Sequence, residues 1–438
     1  MTRLATEETG NGQFVPSRTG HTIGGSGMIP DASCSLNPQN DTSCLRDWDG
    51  VIVLCAATSF TGIKAASQHM AEHLSRLAPV LYVDPPLSPL APCRDRSAAQ
   101  SLRRPRLRLQ SPGLAQLTPV VQPGPSRPAL TPLTSALVRR YLGRSAARFG
   151  GRVHAVISAW PQYPVFGSCG EDVRVYWSQD DFVGGARLMG LNAKHLEARE
   201  RDVVAGADFV AAVSPVLAQT WRDRGSETLL IPNGADLSSF TDVDRAACPA
   251  DVRLPGPIAG LIGHLNARID LHLLEAIADR GRSLLLVGPK DPAFEPERFA
   301  ALTGRPNVCW VGPKPFGLLP GYLRLLDVGL VPYRDSAFNR GSFPMKTLEY
   351  LAAGRGVVAT DLSSIRWLET DLVAVASGPR AFADAVDRSL AEVRSPGMIA
   401  RRQGFVSQHG WAKRAADMHA AIMDRRGRRP DPVRAGHG

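Results

Sequence analysis

Lys346 and Glu349 lie three residues apart in Ser342-Phe-Pro-Met-Lys-Thr-Leu-Glu349, and this spacing can hold a nucleoside diphosphate. The unpaired N–H groups and partial positive charge at a helix N-terminus suit phosphates. Lys346 adds a full positive charge in the first turn. Glu349 follows one turn later, where a carboxylate can accept hydrogen bonds from two sugar hydroxyls. Ser342 stands on the loop before the helix. A second group, Gly263, His264 and Arg268, follows the apolar run Ile258-Ala-Gly-Leu-Ile262. Gly263 lets the backbone approach a ligand. The Arg268 guanidinium stays charged and binds phosphate in bidentate fashion, while His264 fits either a surface or a ligand role. A third group is Asp180-Asp181, after Val173-Arg-Val-Tyr-Trp177. Adjacent carboxylates there can position a substrate hydroxyl or transfer a proton, and they also suit a turn or cap. They form no DxD pattern, so no metal and no bound cofactor is expected.

These residues need elements to aim them. Pro344 fits the first turn of a helix, Leu348, Leu351 and Ala352 fall on one face, and Gly354 ends it. Gly356-Val-Val-Ala-Thr360 reads as a buried strand. Upstream, a strand at Val51-Ile-Val-Leu-Cys55, a helix from Lys64 to Leu77 and a strand at Val80-Leu-Tyr-Val-Asp84 make a βαβ unit. The same alternation restarts at Ile258. The fold class expected is α/β, with two Rossmann-like domains facing each other across a cleft. The expected limits are a disordered extension over 1–48, a first domain over 49–236, a linker over 237–256 and a second domain over 257–410. A final helix over 411–424 and a basic disordered tail over 425–438 complete the chain.

Composition narrows the partners. The chain has 438 residues, a hydrophobic fraction of 44% and a formal net charge of +10, enough for two domains with anionic partners. No apolar run approaches the roughly 18 residues that span a bilayer, and the start MTRLATEETG has no apolar leader region. The seven cysteines form no CxxC pair, which fits reduced thiols in a cytoplasmic protein. Residues 85–130 are rich in Pro and Arg. They read either as an irregular solvated excursion or as a basic surface, with Arg94, Arg96, Arg103, Arg104, Arg106 and Arg108, docking on an anionic membrane. The Gly24-Gly-Ser-Gly27 run near His21 lacks the strand and helix of a phosphate loop, and no motif supports nucleic-acid binding.

The 342–354 segment resembles the donor-binding segment of bacterial glycosyltransferases with the GT-B fold, above all those making teichuronic acid and exopolysaccharides. Glu197 and Glu200 on a helix, Ser214-Pro215 and Ile231-Pro-Asn-Gly-Ala-Asp236 extend the likeness over about 50–425. The resemblance implies transfer of a sugar from a nucleotide-sugar donor to a saccharide or lipid-linked acceptor, with retained configuration. Gly263, His264, Arg268, Ser342, Lys346 and Glu349 would bind the donor, and Asp180, Asp181, Arg268 and Lys346 would serve catalysis. Gly341 departs from the pattern, because many relatives carry a glutamate there. A non-catalytic scaffold or a UDP-sugar 2-epimerase of the same fold therefore stays open, whereas a nicotinamide enzyme would need a GxGxxG that is absent.

Overall fold

Short strands, most of them buried along their whole length, alternate with amphipathic helices from Val51 onward. The structure, a computed structural model, describes Leu45 and residues 47–93, 97–149 and 152–428. The first eight strands are β1 (Val51–Cys55), β2 (Val80–Val83), β3 (Leu107–Ser111), β4 (Leu114–Leu117), β5 (Val153–Ser158), β6 (Val173–Ser178), β7 (Phe209–Ala212) and β8 (Thr228–Leu230). They form one sheet in the order β3-β4-β2-β1-β5-β6-β7-β8. Only the β3–β4 pair in it is antiparallel. The other six are β9 (Ile258–Ile262), β10 (Ser283–Val287), β11 (Val308–Trp310), β12 (Val328–Val331), β13 (Gly356–Ala359) and β14 (Val373–Val375). Their order is β11-β10-β9-β12-β13-β14 and every pairing is parallel. This is the doubly wound arrangement, whose order reverses between β9 and β12.

Side chains alternate across a strand, and here both faces are covered. In β1, Ile52 and Leu54 enter one apolar cluster while Val51, Val53 and Cys55 enter another. In β10, Leu285 and Val287 face one cluster, and Leu284 and Leu286 the opposite one. Unbroken apolar runs are what parallel strands covered on both faces require. One cluster is continuous across both domains, joining Ile52 and Tyr82 to Ile258, Leu348 and Trp411.

The helix over Trp411–Arg428 returns to the first domain and packs on the helix Ala66–Leu74. The Trp411 ring stacks on His69 with centroids 5.5 Å apart. Arg425 lies 4.0 Å over the Phe209 ring, and Arg426 donates to Asp172 at 2.8 Å. The helix thus runs four residues into the segment expected as tail. Leu45 and Trp48, expected within a disordered extension, are buried, and Trp48 stacks on Phe149 at 5.4 Å. The expected linker carries a short helix, Leu237–Phe240, capped by the Asp236 carboxylate.

One expectation is corrected outright. Arg108 is not part of a basic surface: it is 2% exposed and donates to the Pro105 carbonyl at 3.1 Å. Its strand is paired and covered, and the buried Asp84 carboxylate lies close enough to act on its charge. Arg94, Arg96, His21 and the Gly24–Gly27 run lie outside the described residues.

Candidate functional site

At the point where the second sheet reverses its order, the loops following β9 and β12 lie side by side. The chain pairs them directly: Asp270 N–H donates to the Pro332 carbonyl and Arg334 N–H to the Arg268 carbonyl, both at 2.8 Å. Asn339, fully buried, completes the join. Its amide nitrogen donates to the Arg268 and Arg334 carbonyls at 3.0 and 2.9 Å, and its oxygen accepts Arg268 Nε at 2.9 Å. The Arg268 guanidinium also lies 5.0 Å from the Tyr333 ring and 4.7 Å from the Phe338 ring. Arg268 is therefore fixed, with a cation–π contribution of about 0.5–2 kcal/mol per ring. Gly263 is half-buried and His264 exposed on the same loop.

The helix Met345–Ala352 begins immediately after Pro344, which caps it from outside the first turn. Gly354, at φ +71°, adopts the left-handed conformation that stops it. Lys346 Nζ donates to Glu349 Oε2 at 2.5 Å, and Glu349 is 6% exposed. The expected cation and carboxylate are thus brought together at the helix mouth, as a direct pair.

The first domain supplies the third part. Ser342 Oγ donates to Asp180 Oδ1 at 2.6 Å, and Ser214 Oγ donates to the Gly341 carbonyl at 2.6 Å. Burial raises the Asp180 carboxyl above its ordinary range, with a smaller push from Asp181; Arg268 and the Ser342 hydroxyl oppose the shift. Asp181 takes a different role. Its Oδ1 accepts the Gly184 N–H at 2.8 Å, capping the turn that follows β6. A Cβ on Gly341 would lie 2.9 Å from Asp181 Cβ, closer than real Cβ contacts come. The turn of the first domain occupies the space into which a side chain at position 341 would grow.

Behind Asp180 is a cavity of about 120 Å³, lined by Asp180, Asp181, Glu200, Trp221, Arg224 and Gly341. Glu200, on the helix Ala193–Ala205, accepts the hydroxyl of buried Tyr176. Burial pushes its carboxyl up to about 7, and Asp181 adds to this, while the Tyr176 hydrogen bond and Arg224 oppose it. Sequence reading assigned no site role to Asn339, Ser214 or Glu200. Each has a partner more than 20 residues away, and no local spacing marks such contacts.

Residues 257–392 match the family described as Glycosyl transferases group 1. A provisionally named teichuronic acid biosynthesis glycosyltransferase of Bacillus subtilis (strain 168), TuaH, is 37% identical over 184 residues, 40% of this chain. The match spans 46% of that protein, about half its length. Among solved structures, sucrose-phosphate synthase from Thermosynechococcus elongatus aligns with a TM-score of 0.66 at 18% identity, covering 86% of this chain and 98% of that one. HepE of Anabaena, in complex with UDP and glucose, aligns at 0.60 and 13% identity over 86% of this chain and all of its own. The trehalose-6-phosphate protein of E. coli bound with UDP-2-fluoro glucose aligns at 0.62 and 11% over 87% and 100%. The fold is GT-B, two Rossmann-like domains, as the sequence led one to expect.

Proposed function

We propose that the chain is a glycosyltransferase, moving a sugar from a nucleoside diphosphate to a hydroxyl of a saccharide or lipid-linked acceptor in cell-surface polysaccharide synthesis. The observation that carries this reading is that Arg268 is clamped on the loop after β9 and the Lys346–Glu349 pair opens the helix after the β12 loop, while Asp180 of the opposite domain accepts from Ser342 just before that helix. In this reading the nucleotide lies there. Glu349 accepts from the ribose hydroxyls, and Lys346, Arg268 and the helix N–H groups face the diphosphate. As the bond from the anomeric carbon to the phosphate oxygen breaks, negative charge grows on the leaving group, and fixed cations stabilise it. In this reading no metal is required. The acceptor oxygen forms the new bond to the anomeric carbon, its hydroxyl oriented by Asp180 and its proton passing to the departing diphosphate oxygen, with configuration retained. HepE bound to UDP and glucose and the E. coli protein bound to UDP-2-fluoro glucose make a UDP-sugar the first donor to try. Among the described residues no helix is long and apolar enough to cross a membrane, and the donor reading carries a cytoplasmic location with it.

Glu349→Ala tests the ribose contact. Nucleotide affinity should fall at least tenfold, about 1.4 kcal/mol, in a protein that still unfolds cooperatively. Unchanged affinity in the folded variant would remove Glu349 from the donor site.

A further inference from the structure

Three loops meet at the carboxyl ends of β9, β10 and β12, and each is bonded to the other two. Backbone groups join the loops after β9 and β10: Leu265 N–H donates to the Pro289 carbonyl at 2.8 Å, and Asp291 N–H to the Leu265 carbonyl at 2.9 Å. The loops after β9 and β12 are joined by the Arg268, Asp270 and Asn339 bonds described above. Glu295, which ends the loop after β10, closes the ring. Its carboxylate accepts from Arg334 Nη2, on the loop after β12.

Glu295 holds an uncommon backbone in doing so. It stands immediately before the helix Pro296–Thr303 at φ +33° and ψ +61°, the left-handed region, where a Cβ crowds the main chain. Such a conformation persists where surrounding contacts fix it, and here both carboxylate oxygens are held. Oε2 accepts from Arg298 Nη1. Arg298 in turn donates from Nε and Nη2 to the two oxygens of Glu275, on the helix Leu271–Asp279, at 3.1 and 2.5 Å. The Glu295, Arg298 and Arg334 side chains are 28%, 37% and 40% exposed. Ion pairs that open contribute little stability, which directs attention to what Arg334 holds.

Arg334 carries the contact on to Arg268. Its Nε donates to the Ile269 carbonyl at 2.9 Å and its N–H to the Arg268 carbonyl at 2.8 Å. Its own carbonyl accepts the Asn339 amide nitrogen at 2.9 Å, and the oxygen of that same amide accepts Arg268 Nε. Arg334 therefore grips both the backbone that carries the Arg268 guanidinium and the amide that aims it.

We propose that Glu295 is a positioning residue for the donor diphosphate: by holding Arg334 it sets the direction of the Arg268 guanidinium, without itself touching the nucleotide. This rests on the donor reading above.

Calorimetric titration of the wild type, Glu295→Gln, Arg268→Ala and the double variant with UDP and with uridine tests this. If the protein binds GDP, dTDP or ADP instead, that diphosphate and its own nucleoside take their place. Glu295→Gln keeps the shape and removes the charge. It should weaken the diphosphate about fivefold or more and the nucleoside less than about twofold. On the Arg268→Ala background it should change diphosphate affinity less than about twofold, because the two residues act as one unit. Arg334→Met, which leaves the backbone bonds in place, should reproduce the loss and serves if Glu295→Gln does not fold. Unchanged diphosphate affinity in the folded variants, an equal loss of nucleoside and diphosphate, or the same loss with and without Arg268 would overturn the proposal alone. Binding of none of the four diphosphates by the wild type would instead defeat the donor reading, and this proposal with it.

Discussion

Asp180 reaches the loop before the helix Met345–Ala352 through Ser342; burial raises its carboxyl above the ordinary range, and Arg268 and the Ser342 hydroxyl oppose that shift. The neighbouring Asp181 is committed to a turn. Of the two adjacent carboxylates, then, the first bonds a loop of the opposite domain and the second caps its own turn, a division that their identical side chains conceal in the sequence. Asp180→Asn keeps the shape and can still accept from Ser342. Turnover should fall about 100-fold or more, the range for loss of an acid–base or orienting group, with donor affinity changed less than about threefold. Unchanged turnover would make Asp180 a latch between domains. That Lys346 and Glu349 stand together, and that Arg268 stands on the loop after β9, was legible from type and spacing. The Lys346–Glu349 pair follows from helical geometry, whereas the Asn339 clamp on Arg268 joins residues 71 positions apart and leaves no local pattern.

At the scale of elements, the helix Ala193–Ala205 packs Glu200 under β6, where it accepts the Tyr176 hydroxyl. Its carboxyl stands at about 7 in the fold against 4.5 for an ordinary glutamate. Between those values the folded chain holds a proton that the unfolded chain has released, so stability falls as pH rises through the window. The wild type should lose about 3 kcal/mol relative to Glu200→Gln between pH 4.5 and 7, measured by denaturant unfolding of both proteins across that range. Parallel pH profiles would contradict the burial of a neutral carboxyl. The strands of both sheets were readable because parallel strands covered on two faces leave unbroken apolar runs. Arg108 was misread for a physical reason. Alternation with Leu107 and Leu109 reveals a strand, but not the buried polar network opposite it. There Asp84 accepts from Phe60 N–H at 2.8 Å and from Gln116 and Thr118 at 2.6 Å.

Over the whole molecule, the two domains share one apolar cluster, and the terminal helix Trp411–Arg428 ties the second back to the first. The two-sheet architecture and a final helix follow from sequence periodicity, whereas the return of that helix to the first domain is what the GT-B resemblance implied. The closeness of the cleft does not. Gly341 reads in the chain as a missing carboxylate, while in the fold it admits the Asp180-Asp181 turn of the opposite domain. Gly185 does the same from the other side, since a Cβ there would lie 2.5 Å from the Phe338 ring. The cleft is therefore closely lined by both domains. The most direct test is calorimetric titration of the protein and Lys346→Ala with UDP-, GDP-, dTDP- and ADP-sugars. The account predicts that one nucleotide binds selectively at one site per chain, and that Lys346→Ala weakens it at least tenfold. Absence of binding by every donor, or equal binding by the variant, would contradict it.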